Sequence, residues 1–303
     1  MLELSKKKAV KINRPGVIKQ NISGWMIMLP SLILFAFFVW EPLLASIRLS
    51  LYSTKGMRTI EFLGFKNFVD VFQHPDFLAA VRNTFLYTIW SLIIGFLIPI
   101  ILAIMINEMV YCKSLFRIGV YFPNIVPGLA TVLMWGFIFK PGKVGVLNVL
   151  LGNLGLDPIA WLSNPKLTIP LIVITMTWKG AGATALIYLA SLQGINPELY
   201  EATIIDGAGI WQRVRHITIP SLRNLASTLL ILQVIAVFQI LYEPLVMTNG
   251  GPNNASISIM QLVFKYAFEK FDYSKAAAVS VIICIFLVVL TAVYNKFNKE
   301  QDS

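Results

Sequence analysis

"NPELYEATIIDGAGIWQRVRHITIP", residues 196–220, is a run of charge and turn-forming residues set between two apolar segments. Local chemistry alone gives it a shape. Asn196 is a good helix N-cap, and Pro197 suits the first helical position, where a missing N–H is no loss. Glu198 and Glu201 then lie in the first turn or so, where the helix dipole favours anions. The helix should close near Asp206 and Gly207, because glycine takes the left-handed conformation that ends helices. A second short helix is expected from after Gly209 to about Ile219, before Pro220. Leu199, Tyr200, Ile204, Ile205, Ile210 and Trp211 are more apolar surface than two helices of so few turns can cover. Either the protein's own bundle covers them or a partner surface does.

The surroundings are greasier still. The 303 residues are 57% hydrophobic and only 13% charged, whereas soluble domains carry roughly 25% charge. Crossing about 30 Å of hydrocarbon takes roughly 20 helical residues, and the apolar residues come in six runs of that order. These are Trp25 to Ile47, Phe85 to Ile106, Ile118 to Phe139, Leu167 to Leu192, Leu225 to Tyr242 and Ala276 to Tyr294. The fifth and sixth are the shortest and gain a turn from their flanks. The first is too long, and too poor in small residues for cleavage, to be a removable signal.

A net charge of +10 does not point to nucleic acid, because the basic residues sit at the ends of apolar runs rather than in a patch with stacking aromatics. It reads as a topology signal. Lys6, Lys7, Lys8, Lys11, Arg14 and Lys19 precede the first run, which puts the amino terminus in the cytoplasm. Six spans return the carboxyl terminus to the same side. Residues 1–23 read as a basic tail lying on anionic lipid, and 24–80 as the first transmembrane helix with an outer loop. Residues 81–298 form the core, and 299–303 a second cytoplasmic tail. In the outer loop, residues 54–77 suggest a short amphipathic element at the interface.

Enzyme chemistry finds no footing. The loop "KPGKVGVLNVLLGNLGLDPIAWLSNPK", residues 140–166, approaches a phosphate-binding motif at Lys140 to Lys143, but Val144 stands where Ser or Thr is needed. It reads instead as a re-entrant or surface-packed connection. Cys112 and Cys284 lie in different surroundings and do not pair. His74 and His216 are the only histidines.

The stretch at 196–220 resembles the EAA loop of ABC importer permeases, in which Glu-Ala-Ala is followed by Asp-Gly-Ala and later by Ile-x-Leu-Pro. Here Glu201, Ala202 and Thr203 are followed by Asp206, Gly207 and Ala208, then by Ile217, Thr218, Ile219 and Pro220; Thr203 and Ile219 depart mildly from the pattern. "NTFLYT" at 83–88, "LFRIGVYFPNIVP" at 115–127, "SLQGINPELYEA" at 191–202, "TNGGP" at 248–252 and "YSKAAAVS" at 273–280 extend the likeness to the carbohydrate-type permeases from the first helix onward.

The resemblance implies an all-α integral membrane protein of six transmembrane helices with the type I ABC importer permease (MetI-like) fold, in a bacterial plasma membrane. It implies a heterodimer with a second permease, two ATP-binding subunits that carry the ATP and Mg, an extracytoplasmic solute-binding protein, and a sugar or oligosaccharide as cargo. No cofactor belongs to this chain. Docking to the ATPase falls to Glu198, Glu201, Ala202, Asp206, Gly207, Ile210 and Trp211.

Polar side chains inside apolar runs are functional candidates by default. On the fifth run Gln233, Val237, Ile240 and Glu243 are spaced by four, three and three and share a face, from which Gln239 points away. On the fourth, Thr175, Lys179 and Ala183 form a stripe beside Gly180, where a ligand or a helix can approach the backbone. The resemblance makes these two faces the substrate lining. The glutamines read equally as interhelical hydrogen-bonding groups. A lysine in mid-span costs about 2.5 to 3.5 kcal/mol on insertion scales and needs a partner: Glu243, or the carboxylate of an acidic sugar such as an oligouronide. A self-sufficient channel or secondary carrier is the alternative reading of the whole.

Overall fold

A computed structural model describes residues 14–56 and 58–301. Five of its helices are long and apolar enough to cross a membrane: Gly24–Ser50, Pro75–Glu108, Thr168–Leu192, Ile210–Phe238 and Tyr273–Phe297. The expected third span is not one straight helix. It is a pair, Lys113–Ile125 and Gly128–Ile138, bent by 94°. Pro127 dictates the break, because its ring disfavours the helical conformation in the residue before it, and Val126 is extended at φ −63°, ψ 130°. Counting the pair as one broken span gives six.

The first helix begins at Arg14, with Pro15 in its opening turn, so the tail expected through residue 23 is helical from Arg14 onward; residues 1–13 lie outside the described residues. None of the most apolar stretch of Gly24–Ser50 is buried by the rest of the chain. Its final turns, Glu41–Ser50, pack on the last span.

Three spans pass through a π-helical stretch just ahead of a proline: Ala36–Trp40 before Pro42, Ser91–Phe96 before Pro99 and Val214–Thr218 before Pro220. The cause is common to all three. A proline removes one i→i−4 bond and crowds the carbonyl four residues back, and a locally widened turn accommodates both defects without ending the helix. This overturns the expectation of a second short helix stopping before Pro220. Ile210 starts a helix that runs unbroken to Phe238, so the run expected from Leu225 is lengthened on its amino-terminal side.

Thr168–Leu192 is the hub, with half of its most apolar stretch buried inside the chain. It packs against the second, third and fifth spans. Gly182 lets the third span come close: a Cβ there would collide with the Val120 carbonyl. Around it, Ala103, Ile106, Ala185, Tyr188, Leu189, Leu192 and Leu222 form one apolar cluster.

One end of the bundle carries residues 193–209. The other carries an antiparallel hairpin, Tyr52–Lys55 with Arg58–Phe62, in which Tyr52 faces Phe62 and Thr54 faces Thr59. Only after this hairpin does the expected amphipathic element appear, as helix Lys66–Gln73. The 140–166 loop holds a short helix, Val146–Asn153. Buried Asn148 organises that loop, bonding Gly142 O, Ile159 O and N, and Trp161 Nε1 at 2.8–2.9 Å.

Candidate functional site

The first functional element is the helix Pro197–Ile205 together with the turn after it. Asn196 Oδ1 accepts from Glu198 N at 3.1 Å, the N-cap expected from sequence. Gly207, at φ +75°, turns the chain out of the helix, and Ala208 N closes onto Thr203 O at 2.9 Å. Gln212 Oε1 then accepts from Gly209 N at 2.9 Å, capping the start of the fifth span. Two side-chain contacts hold this segment to the bundle. Tyr200 Oη lies 3.1 Å from Thr218 Oγ1, and Arg213 Nη2 donates to Glu108 Oε2 at 3.0 Å.

Glu198, Glu201, Ala202, Asp206, Gly207, Ile210 and Trp211 are all exposed. Among the apolar neighbours, Tyr200 is half-buried, while Ile205 is 85% and Trp211 71% exposed; the Ile204 side chain lies outside the described residues. The chain's own bundle therefore does not cover this surface. Lipid is a poor cover too, because the carboxylates of Glu198, Glu201 and Asp206 stand among the apolar groups and would be desolvated with them. What remains is a polar-rimmed apolar patch of the kind proteins use to meet other proteins.

The second element lies within the bundle. A cavity of about 250 Å³ between the second, fourth and fifth spans is lined by residues that include Ser91, Gly95, Thr177, Gly180, Gln233 and Val237. Gln233 Nε2 donates to Ser91 O at 2.9 Å and contacts Ser91 Oγ at 2.6 Å, so its amide joins two spans as well as facing the cavity. Of the residues expected to line the substrate path, Gly180, Gln233 and Val237 border this cavity.

The rest do not. Thr175 is buried, with its hydroxyl on Leu171 O at 3.1 Å. Ile240 is packed with Tyr87, Ile169 and Ile172, and Ala183 is half-buried. On the fourth span the cavity face is the neighbouring stripe, with Met176, Thr177, Gly180, Ala181 and Thr184. Small and hydroxyl side chains at helical spacing were its signal in the sequence. Gln239 is exposed on a different face and borders a groove against the last span.

Lys179 sits apart, at the break in the third span. Its expected side-chain partner is replaced by backbone: Nζ donates to Val126 O at 2.7 Å. Gly128 flanks the ammonium, since a Cβ there would lie 3.8 Å from Lys179 Nζ and 3.7 Å from Tyr242 Cε1. Among the described residues Lys179 makes no ion pair within 4.0 Å. Glu243, on helix Tyr242–Thr248 beyond the fifth span, still feels its charge. Burial pushes the Glu243 carboxyl above the usual carboxylate range, while its own backbone N–H and the Lys179 charge pull it back. Among the described residues no three His, Cys, Asp or Glu side chains gather as metal ligands.

Residues 95–301 match the family described as binding-protein-dependent transport system inner membrane component. The chain is 30% identical over 289 residues to the probable ABC transporter permease protein YurN of Bacillus subtilis (strain 168), covering 93% of this chain and 98% of that one. It is 31% identical over 276 residues to the lactose transport system permease protein LacF of Rhizobium radiobacter, covering 89% and 92%. The structure is similar, at TM-score 0.83 and 27% identity over 94% of this chain and 98% of the other, to a solved chain of a bacterial ABC transporter involved in the import of the acidic polysaccharide alginate.

Proposed function

The chain belongs to the binding-protein-dependent transport system inner membrane components, and from that membership we propose that it forms half of the membrane path of an ATP-driven oligosaccharide importer. It is a multi-pass membrane permease and not an enzyme. Its partners in this reading are a second permease of like fold, two ATP-binding subunits that hold the ATP and Mg, and an external solute-binding protein. Both termini and the 196–220 end face the cytoplasm.

The observation that carries the reading is the exposed apolar patch of Ile205, Ile210 and Trp211 rimmed by Glu198, Glu201 and Asp206. It belongs to a capped helix closed by a left-handed glycine, held at Thr218 and Glu108. A rigid element suits the transmission of a rigid-body movement from an ATPase better than a loose loop does. Affinity purification of the tagged chain from its native membrane, with mass spectrometry of what accompanies it, tests the assembly. Recovery of a second permease and an ATP-binding subunit is the expected result. Transport against a gradient by this chain alone in liposomes would refute it, in favour of a self-sufficient carrier.

The cargo in this reading is an acidic oligosaccharide. An ammonium has three N–H donors, and Lys179 directs one at Val126, which leaves capacity for a carboxylate where the third span is broken. Likeness to the permease of an alginate importer supports the same class. ATP hydrolysis by the assembled transporter, stimulated by uronate-bearing but not by neutral oligosaccharides and lost in Lys179→Ala, is the expected behaviour. Equal stimulation of the wild type by both classes removes the acidic assignment and leaves the importer standing.

A further inference from the structure

We propose that the Glu108–Arg213 ion pair is the strut by which movement of the docking segment reaches the second span and, through it, the wall of the cavity. The inference rests on the docking role proposed for residues 196–220.

Glu108 is the last residue of the helix that ends the second span, and Arg213 lies two residues beyond Trp211 at the start of the fifth. Their side chains are 16% (Arg213) and 21% (Glu108) exposed and meet at 3.0 Å, sheltered more than a solvated surface pair. Glu108 is poorly placed for its own helix, because a carboxylate at a helix carboxyl end opposes the dipole there. The arginine supplies what the helix does not. The docking helix is tied to the same segment by the Tyr200–Thr218 contact, so Pro197–Ile205, the head of the fifth span and the foot of the second are linked in series.

The second span then leads from Glu108 to Gly95 and Ser91, which line the 250 Å³ cavity, a rise of about 20 Å from Glu108 to Gly95 at 1.5 Å per residue. Ser91 is in turn bonded to Gln233 of the fifth span. A push received at Arg213 arrives at both walls of the cavity, through one span directly and through the other by way of Glu108.

The test uses the complete transporter with Cys112 and Cys284 changed to serine, and spin labels at Met105→Cys and His216→Cys, both exposed positions. Distances are measured without nucleotide and after trapping with ATP and vanadate. With the pair intact, one narrow 105–216 distance is expected in both states. Glu108→Gln and Arg213→Gln should each keep that distance without nucleotide and gain a second, broader population on trapping, and the swap Glu108→Arg/Arg213→Glu should restore the single distance. A wild-type distance that changes on trapping, or a Glu108→Gln transporter that holds one distance in both states, overturns the proposal. Failure of the wild type to retain vanadate-trapped nucleotide would instead overturn the docking role itself, and this inference with it.

Discussion

Lys179 of the fourth span donates its ammonium to the carbonyl of Val126 at 2.7 Å, which ties the hub of the bundle to the break in the third span. Val126 is extended at ψ 130°, so its carbonyl turns out of the helical direction, and the lysine supplies a donor where the negative end of helix Lys113–Ile125 favours a cation.

Replacing the lysine therefore changes geometry more than stability. Lys179→Met relieves an insertion cost of about 2.5 to 3.5 kcal/mol and leaves a carbonyl short of a partner at a cost of about 1 to 3 kcal/mol. The two oppose each other, and the melting temperature in detergent should move little. The bend should loosen. Spin labels at exposed Phe116 and Met134 should give a broader distance distribution in Lys179→Met than in wild type, with Lys179→Arg remaining narrow; equal widths in all three would contradict the capping role.

Trp211→Ala alters a side chain that is 71% exposed, so its effect on the melting temperature should be no more than about 0.5 kcal/mol's worth. Its effect on assembly should be large. A tryptophan at the centre of an interface commonly contributes about 2 kcal/mol or more, which corresponds to roughly thirtyfold weaker binding of the ATPase subunit. Co-purification at falling subunit concentration measures it. A variant that retains its ATPase as the wild type does would exclude Trp211 from the docking surface.

Two neighbouring glycines should respond in opposite ways to the same methyl group. At Gly182 a Cβ runs into the Val120 carbonyl, whereas at Gly180 nothing lies within 4 Å of it. Gly182→Ala should cost about 1 to 3 kcal/mol as the helices are forced apart, seen as a lower melting temperature, while Gly180→Ala should be close to neutral. Similar losses from both would show that helix packing at Val120 is not what constrains Gly182.

Glu243 makes a prediction about pH. Burial raises its carboxyl above the ordinary 4.5, so the folded state holds this proton more tightly than the unfolded chain does. The sign comes from linkage: stability falls as pH rises from 4.5 through the raised folded value, because the unfolded chain releases the proton first. Glu243→Gln has no such proton. The variant's advantage in melting temperature should vanish at pH 4.5 and below, and grow as pH rises above it. A wild type that gains on the variant with rising pH would reverse the assignment and make attraction by Lys179 the dominant effect.

What could be read from residue order was what depends on neighbours in the chain. The helix Pro197–Ile205 is capped by Asn196 and turns at Gly207 as expected, because capping and left-handed closure are decided within a turn. Apolar runs announced the spans for the same reason. The break at Val126 had its signal in Pro127, inside a run long enough to read as one span, and Pro220 looked like a stop although a widened turn carries the helix through it.

Partners across the fold were the other blind spot. Lys179 reaches a backbone carbonyl 53 positions away, and a search among side chains for a carboxylate overlooks every main-chain acceptor. Gln233 could be read as an interhelical hydrogen-bonding group, yet naming Ser91 as its partner needs the packing of two spans 142 positions apart. On the fourth span the expected stripe, Thr175, Lys179 and Ala183 beside Gly180, lies next to the one that borders the cavity, Thr177, Gly180 and Thr184, because a step of one or two positions turns a helical side chain toward a different neighbour.

The π turns ahead of Pro42, Pro99 and Pro220 each hold about one residue more than an α turn does. One residue is about 100° of azimuth in a helix of 3.6 residues per turn. Counting in steps of 3.6 from Trp211 to Gln233 crosses such a slip and lands on the wrong compass bearing. The two lengths of the rod consequently aim at different neighbours within one continuous helix: the lower presents Ile210 and Trp211 away from the bundle, and the upper turns Gln233 and Val237 toward its hollow.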